Sequence, residues 1–283
     1  MSRIDLHIHS TASDGRFSPA EIIGKAATLG LTVIALTDHD TVDGIIPAME
    51  AARPFPQLKM IPGIEISTDI SHGEVHVLGY FIDYTQTEFQ TNLSRMRNSR
   101  LTRAQGMIDR LKKLGVTIEW ARVQQIAGSG SIGRPHIAQA LLEKGYIGSI
   151  KEAFTRYIGR DGPAYVEREK MTPAEAVALI QKARGLPVLA HPFTAGDTEA
   201  LVIELKAAGL DGLEAYYGGY TAQEISRLVS LARKYRLIPT GGSDYHGLDD
   251  SAETMMGDVN VPEAAVEQLI ALAGQRAPAP TGS

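Results

Sequence analysis

The stretch that decides the fold is Ile4-Asp5-Leu6-His7-Ile8-His9-Ser10, followed at once by Ser13-Asp14-Gly15. An extended chain turns every second side chain to the same face, so a strand over residues 4–8 points His7 and His9 together. Two imidazoles at a strand end, with Asp14 close behind, make half of a metal site. The remaining ligands have to come from far downstream.

Working outward, strand and helix patterns alternate. Ser18-Pro19-Ala20-Glu21 is a helix start with Ser as N-cap, Pro at the first position and Glu at the third, and Gly30 closes that helix. Leu31-Thr32-Val33-Ile34-Ala35-Leu36-Thr37 reads as a strand buried on both faces and ends in Asp38-His39-Asp40. A helix over 42–52 precedes a strand over 59–66 that carries Glu65, and a fourth strand over 73–81 carries His76. After residue 166 the alternation resumes. Helices are expected over 172–183, 198–208, 221–235 and 262–273, and short strands near 186–190, 212–215 and 237–240. The first of these strands ends in His191-Pro192, and the last runs into Gly242-Ser243-Asp244-Tyr245-His246. About seven strands, mostly each followed by a helix, predict an α/β protein with a parallel β/α barrel; a doubly wound open sheet is the alternative.

Between these halves the pattern turns helical and basic. A long helix over 88–114 ends at Gly115, and shorter helical patterns follow near 119–127, 135–143 and 149–156, with Ala164-Tyr165-Val166 as the next strand signal. Residues 95–170 hold fifteen Lys and Arg against seven Asp and Glu, a net charge of +8, inside a chain whose total is −5. A basic middle in an acidic body suits an anionic ligand held between them. The expected organisation is a discontinuous barrel over 1–94 and 166–276, a helical insertion over 95–165, and a disordered tail over 277–283.

Composition narrows the chemistry. With no cysteine there is no disulfide scaffold, no thiolate zinc site and no Cys nucleophile, so any metal is held by His, Asp and Glu. No run of eighteen apolar residues is present, and the N-terminus enters a strand without a signal-peptide pattern, so the expectation is a cytoplasmic protein with no membrane partner. Of the eight histidines, His7, His9, His39, His191 and His246 fall at or just past strand ends, and His76 lies in a strand beside the one bearing Glu65. In a β/α barrel the strand C-termini converge on one face, where chemistry sits. With Asp14, Glu65 and Asp244 they make nine ligands, more than one ion can use, so two or three divalent ions are expected.

These residues resemble the polymerase-and-histidinol-phosphatase (PHP) family of metal-dependent phosphoesterases. Asp5-Leu6-His7-Ile8-His9-Ser10, Thr37-Asp38-His39-Asp40, Pro62-Gly63-Ile64-Glu65, His76-Val77-Leu78-Gly79, Ala190-His191-Pro192 and Gly242-Ser243-Asp244-Tyr245-His246 stand in that family's motif order. The resemblance implies a distorted (β/α)7 barrel with a trinuclear site. One metal would take His7, His9, Glu65 and Asp244, a second Asp14, His39 and His246, and a third His76, His191 and a shared Glu65. Manganese is the expected ion, with iron or zinc as alternatives. Asp14, His39 and His191 are the expected catalytic residues.

The insertion, with Gly133-Arg134-Pro135-His136-Ile137-Ala138 and Tyr157-Ile158-Gly159-Arg160-Asp161-Gly162, is similar to that of the nucleotide phosphoesterases of the family. By that similarity Arg134 and His136 hold the substrate phosphate, with Ser131 and Arg160 as further contacts; a Lys of some relatives is replaced by Gly162 here. The implied reaction is hydrolysis of a nucleotide phosphate monoester, foremost a 3′,5′-nucleoside bisphosphate to the monophosphate. Alternatives are 5′-to-3′ exonuclease action on short RNA, 5′-nucleotidase or histidinol phosphatase activity, or an inert binding module. The implied partner is a small nucleotide phosphate or short RNA, with no obligate protein partner.

Other features read blandly. Arg95, Arg97, Arg100 and Arg103 line one helix as a solvated face, His72 is an exposed turn residue, and Trp120 packs within the insertion. Gly128-Ser129-Gly130-Ser131 reads as a flexible linker. Tyr216 and Tyr217 follow a strand end, where they can pack in the core or stack on a base.

Overall fold

The computed structural model describes residues 3–70, 73–128, 132–167, 171–248 and 253–276. Ser131, His72 and the tail over 277–283 lie outside the described residues, as does most of the Gly-Ser linker.

Among the described residues, seven strands form one sheet in sequence order: β1 (Arg3–Ile8), β2 (Leu31–Leu36), β3 (Lys59–Ile70), β4 (Gly73–Tyr80), β5 (Leu186–Leu189), β6 (Gly212–Tyr217) and β7 (Ile238–Gly242). The sheet curls until its last strand meets its first. Just beyond β7, Asp244 N–H donates to His7 O and His9 N–H to Tyr245 O, each at 2.9 Å, and Ile8 bridges Tyr245 in parallel. The result is a nearly closed, distorted barrel. Apolar β1 residues, Leu6 and Ile8, are fully buried, and each such side chain contributes about 1.5–3 kcal/mol.

The barrel is not all parallel. β4 runs antiparallel to both β3 and β5. Two residues separate β3 from β4, whereas a parallel return needs a crossover of about a dozen; a hairpin is the connection that fits. β3 also runs four residues past the expected end, so Ser67 and Asp69 extend it towards the insertion.

The outer helices follow their caps. α1 (Pro19–Thr28), α7 (Pro173–Lys182) and α9 (Ala222–Lys234) each begin with a full capping box, built by Ser18 with Glu21, Thr172 with Glu175, and Thr221 with Glu224. α2 (Ile45–Ala52) starts three residues later than the apolar pattern, with Gly44 at its N-cap; a Cβ there would lie 2.6 Å from the Asp38 carboxylate. α8 (Thr198–Ala208) and α10 (Glu263–Arg276) complete the outer layer.

Between β4 and β5 lie α3 (Thr87–Lys113), α4 (Trp120–Ala127), α5 (Arg134–Glu143) and α6 (Ile150–Ala153), the last running into a π-helical turn over Phe154–Ile158. These helices share a hydrophobic cluster of their own around Met107, Leu111, Val123, Ile137 and Leu141, with Trp120 packed on its edge. Ala164-Tyr165-Val166 is not a strand. Its backbone is held instead by side chains of α3: Arg103 Nε donates to Val166 O at 3.1 Å, and Arg110 donates to Tyr165 O.

Of the arginines expected on a solvated face, Arg103 is buried and Arg100 is largely covered, with 12% of its side chain exposed. α3 packs through Phe89, Leu93, Met96, Arg103, Met107 and Leu111, and that stripe carries Arg103 inward with the apolar residues. Arg100 sits on its edge and reaches the barrel mouth. Its Nε donates to Asp40 Oδ2 at 2.6 Å and its Nη2 to Ser67 Oγ at 2.5 Å. Arg97 pairs with Asp43 Oδ2 at 2.9 Å and Thr41 Oγ1 at 3.1 Å. The long helix is thereby fastened to the loop after β2.

Candidate active site

All nine expected ligand residues meet at one end of the barrel. Glu65 is the hub. Its Oε2 lies 3.1 Å from both His7 Nε2 and His9 Nε2 and 3.3 Å from His39 Nδ1, and its Oε1 lies 2.8 Å from His76 Nδ1 and 3.0 Å from His191 Nε2. Asp244 Oδ1 faces the same His7 and His9 nitrogens at 3.2 and 3.1 Å. Asp14 faces His246 at 3.5 Å, His9 at 3.9 Å and His39 at 4.0 Å.

Three ligand groups that could hold a metal ion stand out among the described residues, with ligand atoms within 4.8 Å of one another. They are His7, His9, Glu65 and Asp244; His9, Asp14, His39 and His246; and His39, Glu65 and His76. The first matches the set expected from sequence. The second adds His9, and the third takes His39 in place of His191, which faces the same Glu65 oxygen.

The donor set fits cations. His7 Nε2, both ring nitrogens of His9, Asp14 Oδ1, Glu65 Oε2 and Asp244 Oδ1 are buried without a hydrogen-bond partner among the described residues. Buried polar atoms are normally paired, so orphans aimed at one another mark a place for ions. A second layer of contacts fixes the rings. His7 Nδ1–H donates to Glu214 Oε1 at 2.9 Å and His246 Nδ1–H to Asp244 O at 2.8 Å, which in each case turns Nε2 towards the cluster. Glu214 Oε2 also accepts the His191 N–H at 2.7 Å, and Tyr217 donates to Asp244 Oδ2 at 2.8 Å. Asp5 ties β1 to β7 by accepting Ser243 N–H at 2.9 Å and Ser243 Oγ–H at 2.6 Å.

Three of the six non-glycine residues with positive φ among the described residues lie here. Asp40, His191 and Asp244 have φ of 53°, 25° and 57°, a region that costs a non-glycine residue about 1–3 kcal/mol.

The electrostatics show a cluster short of positive charge. Burial opposes ionisation of Asp14 and Glu65, yet the surrounding imidazoles hold both carboxyls well below the usual carboxylate range. Burial also disfavours charge on His76 and His246, but Glu65 and Glu74 push the first up to about 10, and Asp14 and Asp244 do the same for the second. His39 goes the other way: burial takes it down to about 4 against the pull of Glu65 and Asp14.

Beside the cluster opens a cleft of about 170 Å³ between the barrel mouth and the insertion, walled by Asp14, His39, His76, Arg100, Arg103 and Arg134, among others. Arg134 pairs with Glu74 and lies 5.5 Å from the Phe154 ring centroid. His136 is buried in the first turn of α5, where its Nδ1 accepts the Gly133 N–H at 2.9 Å. Arg160 is turned away from that wall, onto Asp69 Oδ1 at 3.1 Å and Gly73 O at 2.6 Å. A larger apolar cavity, about 440 Å³ beside Phe17, Lys25 and Met255, holds none of the nine clustered ligands and is not the site.

The PHP domain family model matches residues 5–185, which hold six of the nine clustered ligands. The chain belongs to the PHP family. Among curated PHP relatives, a 5′-3′ exoribonuclease of Haemophilus influenzae is 34% identical over 86% of this chain and 90% of its own length. A 3′,5′-nucleoside bisphosphate phosphatase of Chromobacterium violaceum is 32% identical over 87% and 88%. A phosphoribosyl 1,2-cyclic phosphate 1,2-diphosphodiesterase of Eggerthella lenta is 30% identical over 86% and 94%. Two solved structures share the fold at 28% identity: a metal-dependent phosphoesterase of Bifidobacterium adolescentis (TM-score 0.86, 96% of each chain) and an amidohydrolase of C. violaceum with bound sulfate (TM-score 0.85, 96% of this chain and 97% of that one).

Glu214, Arg100 and Arg103 are not singled out as site residues by the sequence, and Tyr217 reads there only as packing in the core or stacking on a base, not as a partner of Asp244. The signals were present: an acid inside an apolar strand, two arginines at or beside apolar-stripe positions of a helix, and a tyrosine next to a strand end.

Proposed function

We propose that this PHP protein is a metal-dependent phosphoesterase that removes a phosphate monoester from a nucleotide, foremost a 3′,5′-nucleoside bisphosphate. The observation that carries the reading is the meeting of a nine-residue His/Asp/Glu cluster with an arginine-walled cleft. The relatives' names point the same way, and the sulfate held by the C. violaceum neighbour is a tetrahedral anion like phosphate.

His7, His9, Glu65 and Asp244 would hold one divalent ion, Asp14, His39, His246 and His9 a second, and Glu65, His76 and His39 a third. Such ions supply an acidified water nucleophile and positive charge for the phosphoryl oxygens, with manganese the favoured ion and iron or zinc alternatives. Arg134 presents its guanidinium to the phosphate and fixes its orientation, and Arg100, held on Asp40 and Ser67, adds positive charge beside it. His136, whose Nδ1 is occupied by Gly133, offers Nε2–H as a donor. His191, whose Nε2 lies 3.0 Å from Glu65 Oε1, is the residue assigned to return a proton to the departing oxygen. Residues 95–165 act as the insertion that closes over the bound anion, and Arg160 braces the β3–β4 hairpin beneath it.

A second reading, 5′-to-3′ exonuclease action on short RNA, is favoured by the +8 charge of residues 95–170 and by the exoribonuclease relative. Phosphate release by manganese-loaded protein from adenosine 3′,5′-bisphosphate, 5′-AMP, 3′-AMP, histidinol phosphate and a 5′-phosphorylated dinucleotide separates the two. Preference for the bisphosphate supports the phosphatase. Preference for the dinucleotide, with steep salt dependence, supports RNA trimming, and preference for 5′-AMP a nucleotidase. Release from histidinol phosphate alone, or from none, contradicts the nucleotide reading.

A further inference from the structure

Tyr216 and Tyr217 end β6 together but face different surroundings. Tyr216 packs against two hydrophobic clusters of the barrel. Tyr217 belongs to none of the hydrophobic clusters among the described residues. Its hydroxyl is pinned on Asp244 Oδ2 at 2.8 Å, and its ring meets the His191 ring edge-on, 5.8 Å between centroids.

The rings continue outward from there. Tyr220 lies 5.0 Å from Tyr217 and Phe193 lies 5.0 Å from Tyr220, with the Arg227 guanidinium 5.6 Å from the Phe193 centroid. Phe193 and Tyr220 have one side against the barrel core, and all three aromatic rings are half-buried. This row comes from the ends of β5 and β6. The arginine-walled cleft is built from the loop after β1, the ends of β2, β3 and β4, and the insertion. An ester with its phosphorus at the cluster therefore has cations on one side and aromatic rings on the other. Side chains of this kind recognise a flat, π-rich group, and base–aromatic stacking tolerates any base because each has a π-face.

We propose that Tyr217, extended by Tyr220 and Phe193, is the stacking surface for the nucleobase of the substrate. The proposal rests on the nucleotide reading above and adds to it the subsite that tells a nucleotide from a sugar phosphate. Tyr217 is suited to the role because its hydroxyl is anchored before any ligand arrives, so little ring freedom is lost on stacking.

The test is equilibrium binding by calorimetry to manganese-loaded protein. The ligands are the 5′-methylenephosphonate analogues of AMP and of ribose 5-phosphate, which carry no hydrolysable ester. Removing a stacking ring costs about fivefold to a hundredfold in affinity. The wild type is expected to prefer the adenosine compound by such a factor, Tyr217→Leu to bind the two nearly equally, and Tyr217→Phe to keep the preference. Tyr220→Leu, one ring further out, should lose part of it with bound manganese unchanged, which guards against a collapsed metal cluster in the Tyr217 variants. Equal affinities in the wild type, failure of both compounds to bind, or a preference that survives in Tyr217→Leu would each overturn the proposal. Failure of the functional reading would show elsewhere: base-selective binding with no phosphate released from any ester keeps the subsite and removes the reaction.

Discussion

Glu214 Oε1 accepts the Nδ1–H of His7 at 2.9 Å, and neither side chain is exposed to solvent. This contact sets the His7 tautomer and aims its Nε2 at Glu65 and Asp244. Glu214→Gln keeps the shape but weakens the acceptor. Loss of such an outer contact typically costs about 10–100-fold in metal affinity. Manganese titration of the variant should show that weakening with the fold intact by circular dichroism; unchanged affinity would remove Glu214 from the metal centre.

Asp14 and Arg134 face the same cleft with different expected roles, and kinetics separate them. Asp14→Asn or His39→Ala should nearly abolish kcat, because each removes a cluster ligand. Arg134→Ala removes a charged hydrogen bond to the ground-state phosphate, so KM should rise by about tenfold to a hundredfold with kcat changed less. Near-normal kinetics in Arg134→Ala would take the insertion out of substrate binding.

The Arg100–Asp40 pair is buried, with 12% and 0% of the two side chains exposed. Arg100→Met deprives the Asp40 carboxylate of its guanidinium in a place water does not reach, a loss of about 3–5 kcal/mol. Arg97→Ala breaks a pair open to solvent and should cost less than about 1 kcal/mol. Urea unfolding of the two variants checks the contrast.

His136 is held below its ordinary value by burial and by nearby Arg100, with Asp14 opposing. A depressed histidine adds stability that is complete above its unfolded-state value of about 6.5. That stability is lost as pH falls towards the folded-state value, because the unfolded chain then binds the extra proton. Between pH 7 and pH 5 the wild type should lose melting temperature more steeply than His136→Gln. Parallel slopes would mean that folding leaves His136 at its unfolded-state value.

Much of the site could be read from the chain because its ligands are tied to strand ends. His7 and His9 share a face by the two-residue period, and His39, His191 and Asp244 each follow a short apolar run. Helix starts were equally legible, since the caps at Ser18, Thr172 and Thr221 are local. The direction of β4 was harder: an apolar run marks a strand but not its orientation, and only the short β3–β4 connection reveals the hairpin. Arg100 looks like a surface residue until Asp40, sixty positions earlier, is placed beside it. Glu214 likewise gains meaning only from His7, 207 positions away. Pairings of this kind are set by barrel closure, which local pattern does not encode.

The central claim is that the histidine–carboxylate cluster is a multinuclear metal centre. Equilibrium dialysis against manganese, followed by elemental analysis of the protein, tests it directly. The account predicts two to three ions per chain in the wild type and fewer in Asp14→Asn. Less than one ion per chain at saturating manganese, iron or zinc would contradict it.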